Sequence, residues 1–201
     1  MNDTFNNIYS NNIWNNNNNK IPLSGPGSSL DNTKELVSYL NNLKGFNSCL
    51  DIGCGDLTWI SKTSLFNENY IGIDVSDYII GKNKKTFNNM KFYTINAVNG
   101  KLFDAELFIC RDVMFHLNRE DNIQLLKNIG NYNFKYIILT SSNCNNNIFD
   151  INNSDHFCPI NLEIRPFNFK NITYRIDEKH FNRKIMVLSY DSYIDNIKNI
   201  K

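Results

Sequence analysis

The stretch Cys49-Leu50-Asp51-Ile52-Gly53-Cys54-Gly55-Asp56 decides the fold of this 201-residue chain. An apolar run that ends at an acid and then meets two glycines is typical of a buried strand followed by a sharp turn. Glycine suits such a turn because it adopts left-handed backbone and lets another group approach the backbone closely. Parallel α/β sheets bind ligands at the carboxyl ends of their strands, so this turn is a candidate ligand site.

Short apolar runs alternate with helical stretches around this turn. Strands are predicted at 48–52, 70–74, 91–95, 106–111 and 134–140, followed by a hairpin made of 171–176 and 184–190. Helices are predicted at 31–43, from 57–62, after Ser76 and after Asn118. Strands that lack polar alternation and are separated by helices indicate a parallel sheet covered on both faces. We therefore expect an α/β, Rossmann-like fold, with a mostly parallel seven-stranded sheet, a C-terminal antiparallel hairpin and helices on both faces.

The composition fits one soluble domain. Apolar residues make up 41% of the chain and the formal net charge is +1, which gives no long-range attraction to nucleic acid or anionic lipid. No apolar stretch approaches the ~20 residues of a membrane span, and the first residues lack the layout of a secretory signal. The five cysteines form no C-x-x-C pair, so we expect neither a disulfide framework nor a metal site. These features predict a cytoplasmic protein.

Asparagine dominates residues 1–19, which end in the run Asn15 to Asn19. Asparagine carries no apolar surface and competes for backbone hydrogen bonds, so we expect this tail to be disordered or loosely docked. Trp14 is an exception that either docks on the domain or belongs to a flexible tail. The predicted boundaries are therefore a tail at 1–19 and a domain at 20–201.

Two classes of cofactor compete for the glycine turn. A dinucleotide needs its pyrophosphate at a helix N-terminus and normally has a third glycine, whose position here is Thr58. Asp56 would also place negative charge beside that diphosphate. S-adenosylmethionine (SAM) has no phosphate and carries an ammonium and a sulfonium, which suit Asp51 before the turn. The charge pattern therefore favours SAM as the cofactor.

A second acid agrees with a nucleoside ligand at the turn. Asp74 ends the predicted second strand nineteen positions after Gly55, where an acid accepts hydrogen bonds from ribose hydroxyls. This feature does not separate SAM from NAD, because both carry the ribose. The predicted cofactor-binding residues share a position at the carboxyl ends of the first four strands: they are Asp51, Gly53, Cys54, Gly55, Asp74, Asn96 and Arg111.

Several motifs together resemble one known family. They occur in this order: S-G-P-G-S-S-L at 24–30, L-D-I-G-C-G-D-L-T-W at 50–59, Y-I-G-I-D at 70–74, C-R-D-V-M-F-H-L at 110–117, P-I-N-L at 159–162 and P-F at 166–167. Over residues 21–190 the chain resembles a group of small class I SAM-dependent methyltransferases with S-G-x-G-S, D-x-x-C-G-D and C-R-D-x-x-x-H-L segments. The resemblance implies the fold, methyl transfer and SAM. Asn96 departs from the group's usual Asp, although its side-chain oxygen can still accept from an adenine amino group.

Catalytic candidates follow the fourth strand, where the methyl group of the cofactor is expected. They are Arg111, Asp112 and His116. If a helical turn starts at Asp112, its carboxylate and the His116 imidazole share one side, and His116 becomes a candidate general base for a hydroxyl acceptor. His116 can instead pack against the following helix. Arg111 can clamp an acidic acceptor or form a salt bridge with a local acid.

The acceptor is expected to contact the long aromatic segment 141–170, in which His156, Asn161 and Arg165 are substrate-binding candidates. We expect a small polar acceptor, with O-methylation of a sugar or nucleotide sugar as the first choice. No N/D-P-P-Y/F tetrapeptide follows the fourth strand, so the signature of DNA amino- and glutamine-methyltransferases is absent. The alternatives are a methyltransferase with an N-acceptor or a macromolecular acceptor, a non-catalytic partner-binding module, and an NAD-dependent oxidoreductase.

Overall fold

The computed structural model describes residues 2–150, 157–178 and 181–200. In these ranges seven strands form one sheet: β1 Cys49–Ile52, β2 Tyr70–Asp74, β3 Lys91–Thr94, β4 Leu107–Cys110, β5 Tyr136–Ser142, β6 Tyr174–Glu178 and β7 Arg183–Ser189. The same ranges contain five α-helices: α1 Asn2–Ser10, α2 Leu30–Asn42, α3 Asp77–Thr86, α4 Arg119–Ile129 and α5 Tyr190–Ile197. Single 3₁₀ turns lie at Pro26–Ser28, Ile60–Lys62 and Met114–His116.

The strand order of the sheet is β3-β2-β1-β4-β5-β7-β6. Strands β1 to β5 pair in parallel, whereas β7 is antiparallel to β5 and forms a hairpin with β6. The order reverses between β1 and β4, and open α/β sheets bind ligands at this crevice. The prediction of a mostly parallel seven-stranded sheet with a C-terminal antiparallel hairpin is confirmed.

Apolar cores cover both faces of the sheet, as the unbroken apolar strands predict. Leu50 and Ile52 of β1 pack with α4 residues such as Leu126 on one face. Cys49, next to Leu50 in the chain, packs with Leu36 of α2 on the other face. Because successive strand residues point to opposite faces, the strands β1, β2, β4, β5 and β7 each contribute to both cores.

The helix predicted from residue 57 is wrong for most of its length. The structure has only the 3₁₀ turn Ile60–Lys62 there. Leu57 takes a left-handed φ of +63°, which an α-helix does not accommodate. The Asp56 carboxylate also accepts a hydrogen bond from the Thr58 amide at 3.2 Å, so the chain forms a local side-chain turn instead of a helix.

The hairpin also differs from its predicted bounds. Its turn was expected to include residues 177–183, but β6 extends to Glu178 and β7 begins at Arg183. Both of these charged residues are buried, each 5% exposed. Glu178 and Arg183 form a salt bridge with each other across the hairpin. The sequence of either strand alone does not reveal this pairing.

The Asn-rich residues 2–19, expected to be disordered or loosely docked, are folded in the structure. Asn2–Ser10 is helix α1, and its Ile8 and Tyr9 are buried. The Asn6 side-chain oxygen accepts hydrogen bonds from the Ser76 hydroxyl at 2.7 Å and the Tyr78 amide at 3.2 Å, at the start of α3. The helix therefore docks beside the tip of β2. The domain boundary at residue 20 stays a prediction.

Across residues 2–150, 157–178 and 181–200, none of the helices is long and apolar enough to cross a membrane.

Candidate functional site

The glycine turn after β1 leaves no room for side chains. Gly53 and Gly55 have φ values of +72° and +56°. A Cβ at Gly53 would lie 2.3 Å from the Val113 side chain, and one at Gly55 would lie 2.2 Å from the Ser24 hydroxyl oxygen. Both positions therefore need glycine for conformation and for space. The turn passes directly under the loops that follow β4 and precede α2.

The loop containing Ser24 folds onto this turn. The Ser24 amide donates to the Asp56 carboxylate at 3.2 Å, and the Asp56 amide donates to the Ser24 hydroxyl at 2.9 Å. This reciprocal pair occupies the Asp56 carboxylate. The structure therefore shows this loop packed over the turn.

Two buried carboxylates flank the turn. Asp51 is 2% exposed and accepts a hydrogen bond from the Tyr70 hydroxyl at 2.7 Å. Asp74 is 7% exposed and accepts from the amides of Gly55 and Ser76 at 3.1 and 2.9 Å. The structure thus brings the two predicted cofactor acids to the same turn.

Burial disfavours the charge of both acids. The pKa of Asp51 is raised to about 7, chiefly by desolvation and also by the charge of Asp74, against a lowering by the Tyr70 hydrogen bond and by Arg111. Desolvation raises the pKa of Asp74 to about 6, against a lowering by the backbone hydrogen bonds. A cation bound between them would restore their ionised forms. The site is therefore suited to a positively charged ligand.

A pocket that is open to solvent on one side lies above these acids. It collects most of the predicted cofactor and catalytic residues: Asp51, Gly53, Cys54, Asp74, Asn96, Arg111, Asp112 and His116. Apolar side chains form the wall beside Asn96, and these are Val75, Ile95, Ala97, Val98, Leu117 and Leu125. The Asn96 side-chain oxygen accepts from the Val98 amide at 3.0 Å, which leaves one lone pair for a ligand. The pocket offers an apolar slot for a flat ring and acids for a polar group.

Arg111 is held in a buried network of four charges. It is 5% exposed, and its guanidinium donates to Glu178 at 2.8 Å and to Asp112 at 2.8 Å. Arg183 pairs with the same two acids, at 3.1 Å from Asp112. Both arginines also donate to the Gly27 carbonyl, at 2.9 Å from Arg111. Of the two roles left open for Arg111, the structure shows the salt bridge with local acids.

Asp112 and His116 do not form the dyad that a helical turn would give. Asp112 has a left-handed φ of +62°, and the 3₁₀ turn begins only at Met114. One Asp112 carboxylate oxygen pairs with the two arginines of the network. The other is buried and, within the residues that the structure describes, accepts no hydrogen bond.

The imidazole of His116 lies among aromatic rings. The Trp14 indole stacks on it, with ring centroids 5.0 Å apart and an angle of 26°. Phe5 and Phe157 contact its ring at 5.7 and 6.1 Å. His116 therefore lines the pocket and packs against aromatic rings of the N-terminal residues.

Two of the predicted substrate-binding residues, Asn161 and Arg165, lie away from the pocket. The Asn161 amide donates to the Cys144 carbonyl at 2.8 Å, and its oxygen accepts from the Glu163 amide, so it holds the loop together. Arg165 is exposed, and its carbonyl accepts from Asn147 at 2.8 Å. Neither belongs to the pocket lining. His156 lies outside the described residues.

Residues missed by sequence reasoning also line the pocket: they are Phe5, Tyr9, Ser28 and Trp59. Phe5, Ile8 and Tyr9 have the i, i+3, i+4 spacing of an amphipathic helix, a signal that the Asn-rich composition concealed. The Arg111 guanidinium lies 5.6 Å from the centre of the Trp59 ring. In the described ranges no three His, Cys, Asp or Glu residues group in a way that would hold a metal ion.

No protein-family model matches the sequence, and no curated protein matches it. Solved structures do match its fold. The N-methyltransferase NodS from Bradyrhizobium japonicum, in complex with S-adenosyl-L-homocysteine, aligns with a TM-score of 0.65 at 12% identity, over 94% of this chain and 97% of that one. Magnesium protoporphyrin IX methyltransferase from Synechocystis, with bound SAM, aligns with a TM-score of 0.63 at 17% identity, over 92% and 93%.

The chain has the class I methyltransferase fold. The O-methyltransferase from a trans-AT PKS multienzyme of Brevibacillus brevis adds a third example, with a TM-score of 0.58 at 13% identity over 84% of this chain and 77% of that one. These three neighbours cover N-acceptors, O-acceptors and a porphyrin, so the shared fold does not select an acceptor. The predicted fold class is confirmed, whereas the group-specific motifs stay predictions.

Proposed function

We propose that the protein is a SAM-dependent methyltransferase that acts on a small, hydroxyl-bearing acceptor. The observation that carries this proposal is the pair of buried carboxylates, Asp51 and Asp74, on either side of a turn that only glycine can form. Such a site suits a ligand with both a cationic group and a ribose. The neighbours that share the fold and are named as complexes with SAM or its demethylated product support the same cofactor.

The geometry favours SAM over a dinucleotide. A pyrophosphate needs a helix N-terminus, and only a 3₁₀ turn, Ile60–Lys62, follows the glycine turn. The Asp56 carboxylate next to the turn would also repel a phosphate. Asp51 would hold the methionine ammonium, Asp74 the ribose hydroxyls, and Asn96 the adenine amino group. When bound, SAM supplies an electrophilic methyl group on its sulfonium.

The acceptor side supports O-methylation. A hydroxyl acceptor needs a group that orients it and a base that takes its proton. Asp112 lines the pocket and has one buried oxygen that accepts no hydrogen bond in the described residues; it would orient such a hydroxyl once acceptor binding uncovers that oxygen. His116 is the candidate base on the same wall. We therefore keep Asp112 and His116 as catalytic candidates with separate roles.

Sugars are the first class of acceptor to test, in line with a role in glycan modification. The expectation of a nucleotide sugar required Arg111 to bind the phosphates of the acceptor. The Arg111 guanidinium is already engaged by Glu178, Asp112 and the Gly27 carbonyl. A phosphate would thus need another cation. Free sugars and glycosides should therefore be tested as acceptors before nucleotide sugars. Binding of the acceptor by Asn161, Arg165 and His156, a tail–domain boundary at residue 20, and a cytoplasmic location stay predictions.

Titration calorimetry with S-adenosylhomocysteine (SAH) and with NAD tests the cofactor. We expect the protein to bind SAH and not NAD, and Asp74→Ala to abolish SAH binding. Asp77→Ala is the matched control: it removes an exposed acid at the start of α3, three residues after Asp74, and the variant should bind SAH normally. Absence of SAH binding at millimolar ligand would overturn the proposal and favour a non-catalytic module.

Transfer of a labelled methyl group from SAM to a panel of sugars tests the chemistry. We expect His116→Ala to keep SAH affinity and to lose turnover, since a base acts after binding. Normal turnover of His116→Ala would show that this residue is structural. Transfer to amines but not to hydroxyl compounds would favour an N-acceptor.

A further inference from the structure

The N-terminal segment, which we define as residues 2–15, reaches the cofactor pocket from outside the sheet. Its helix α1 is fixed to the start of α3 by the hydrogen bonds of Asn6 with Ser76 and Tyr78. Asp74 lies two residues before Ser76, so this attachment is beside the predicted ribose site. The segment is thereby placed over the acids of the pocket rather than on a remote surface.

Tyr9 brings a hydroxyl to the glycine turn. Its side chain is buried, at 4% exposure, and its phenol oxygen lies 3.5 Å from the Ser24 hydroxyl. The same oxygen lies 3.3 Å from the position that a Cβ would take at Gly55. Burial and the charge of Asp74 raise the pKa of Tyr9, so the phenol keeps its proton. A hydrogen-bond donor is therefore held at the turn that would bind the cofactor.

Trp14 extends the same wall toward the candidate base. Its ring stacks on His116, and the rings of Phe5 and Tyr9 meet it edge-on at 5.9 and 5.7 Å. Such aromatic pairs add about 0.5–1.5 kcal/mol each beyond the apolar area they bury. Three aromatic side chains of one short segment thus form a continuous surface from the glycine turn to His116.

The segment forms a wall of the pocket and does not fill it. With the segment in place the pocket is still open to solvent, and Phe5, Tyr9 and Trp14 line it together with Asp51 and Asp74. A segment that blocked the site would occupy this space. We propose that the N-terminal segment is part of the cofactor site, with Tyr9 and Trp14 contacting the bound cofactor. This inference rests on the proposed function.

The test measures SAH affinity of the full chain by calorimetry. Tyr9→Phe removes only the hydroxyl, and we expect affinity to fall about three- to tenfold. Tyr78→Phe makes the same change at an exposed phenol and should leave affinity unchanged. Trp14→Leu should weaken binding about tenfold or more, with most of the affinity kept in Trp14→Phe. Ile13→Ala, at the exposed neighbouring position, is its control.

Hydrogen–deuterium exchange of the unmodified protein gives a second, independent readout. We expect SAH to slow amide exchange in residues 2–10, because a ligand that contacts the segment holds it in place. Unchanged exchange, or SAH affinities of Tyr9→Phe and Trp14→Leu equal to or tighter than that of the unmodified protein, would overturn the inference. The proposed function would survive that outcome, whereas it fails if the unmodified protein does not bind SAH.

Discussion

Raising the pH from 5 to 7 is expected to strengthen SAH binding about fiftyfold. The pKa of Asp51 is raised to about 7, chiefly by its burial, so roughly 1% of this acid is ionised at pH 5 and about half at pH 7. A ligand ammonium favours the ionised carboxylate, so affinity follows that fraction. The sign is fixed by linkage: a bound cation lowers the pKa of the acid, protons are released on binding, and affinity rises with pH. Asp74, whose pKa is raised to about 6, adds to the rise at the lower end of this range.

Calorimetry at half-unit steps of pH measures this dependence. Repeating each titration in two buffers of different ionisation enthalpy counts the protons released. Tyr70→Phe is the informative variant, because the Tyr70 hydroxyl donates to Asp51 and lowers its pKa. Without that hydrogen bond the rise in affinity should move to higher pH. Asp51→Asn should remove the rise between pH 6 and 7, whereas Tyr78→Phe should leave it in place.

An affinity that is constant or falls between pH 5 and 7 would refute the reasoning. So would a rise that persists unchanged in Asp51→Asn, because the charge that selects the ligand would then lie elsewhere.

Two further predictions concern stability. Gly53→Ala places a Cβ 2.3 Å from the Val113 side chain and should lower the free energy of unfolding by about 1–3 kcal/mol in urea titrations. Adding Val113→Ala should restore part of the lost stability. If the double variant regains none, the clash is not the cause of the loss. Arg183→Met leaves Arg111 as the one cation of the network against the two acids Glu178 and Asp112, and the uncompensated buried negative charge should cost about 3–5 kcal/mol. Arg175→Met, which removes a side chain that is 45% exposed, should cost less than about 1 kcal/mol, and equal losses for the two variants would argue against the buried network.

The strands and the cofactor turn are predictable because their signals are local. Each buried strand is a short apolar run, and the acids Asp51 and Asp74 follow such runs directly. Parallel strands place their carboxyl ends at one edge, so the meeting of these acids follows from the fold class alone. The glycines add a conformational signal that few other turns produce.

The remaining parts of the site depend on partners distant in the sequence. Glu178 and Arg183 look like polar turn residues, and their burial makes sense only with Arg111 and Asp112 beside them. In the N-terminal segment, the high asparagine content predicts disorder and hides the helical spacing of the apolar residues Phe5, Ile8 and Tyr9. The interruption of the helix after Gly55 also depends on Ser24, thirty-two positions from the Asp56 that it binds. Local patterns do not carry this information.

The ion network has a consequence for the order in which the protein is made. The Gly27 carbonyl accepts a hydrogen bond from Arg183, which follows it by 156 residues, so the ion network that holds Arg111 at the pocket joins an early and a late part of the sequence. A ribosome releases the earlier part long before the later one. The contacts that fix Arg111 are therefore complete only after β7 has been synthesised and has paired with β5.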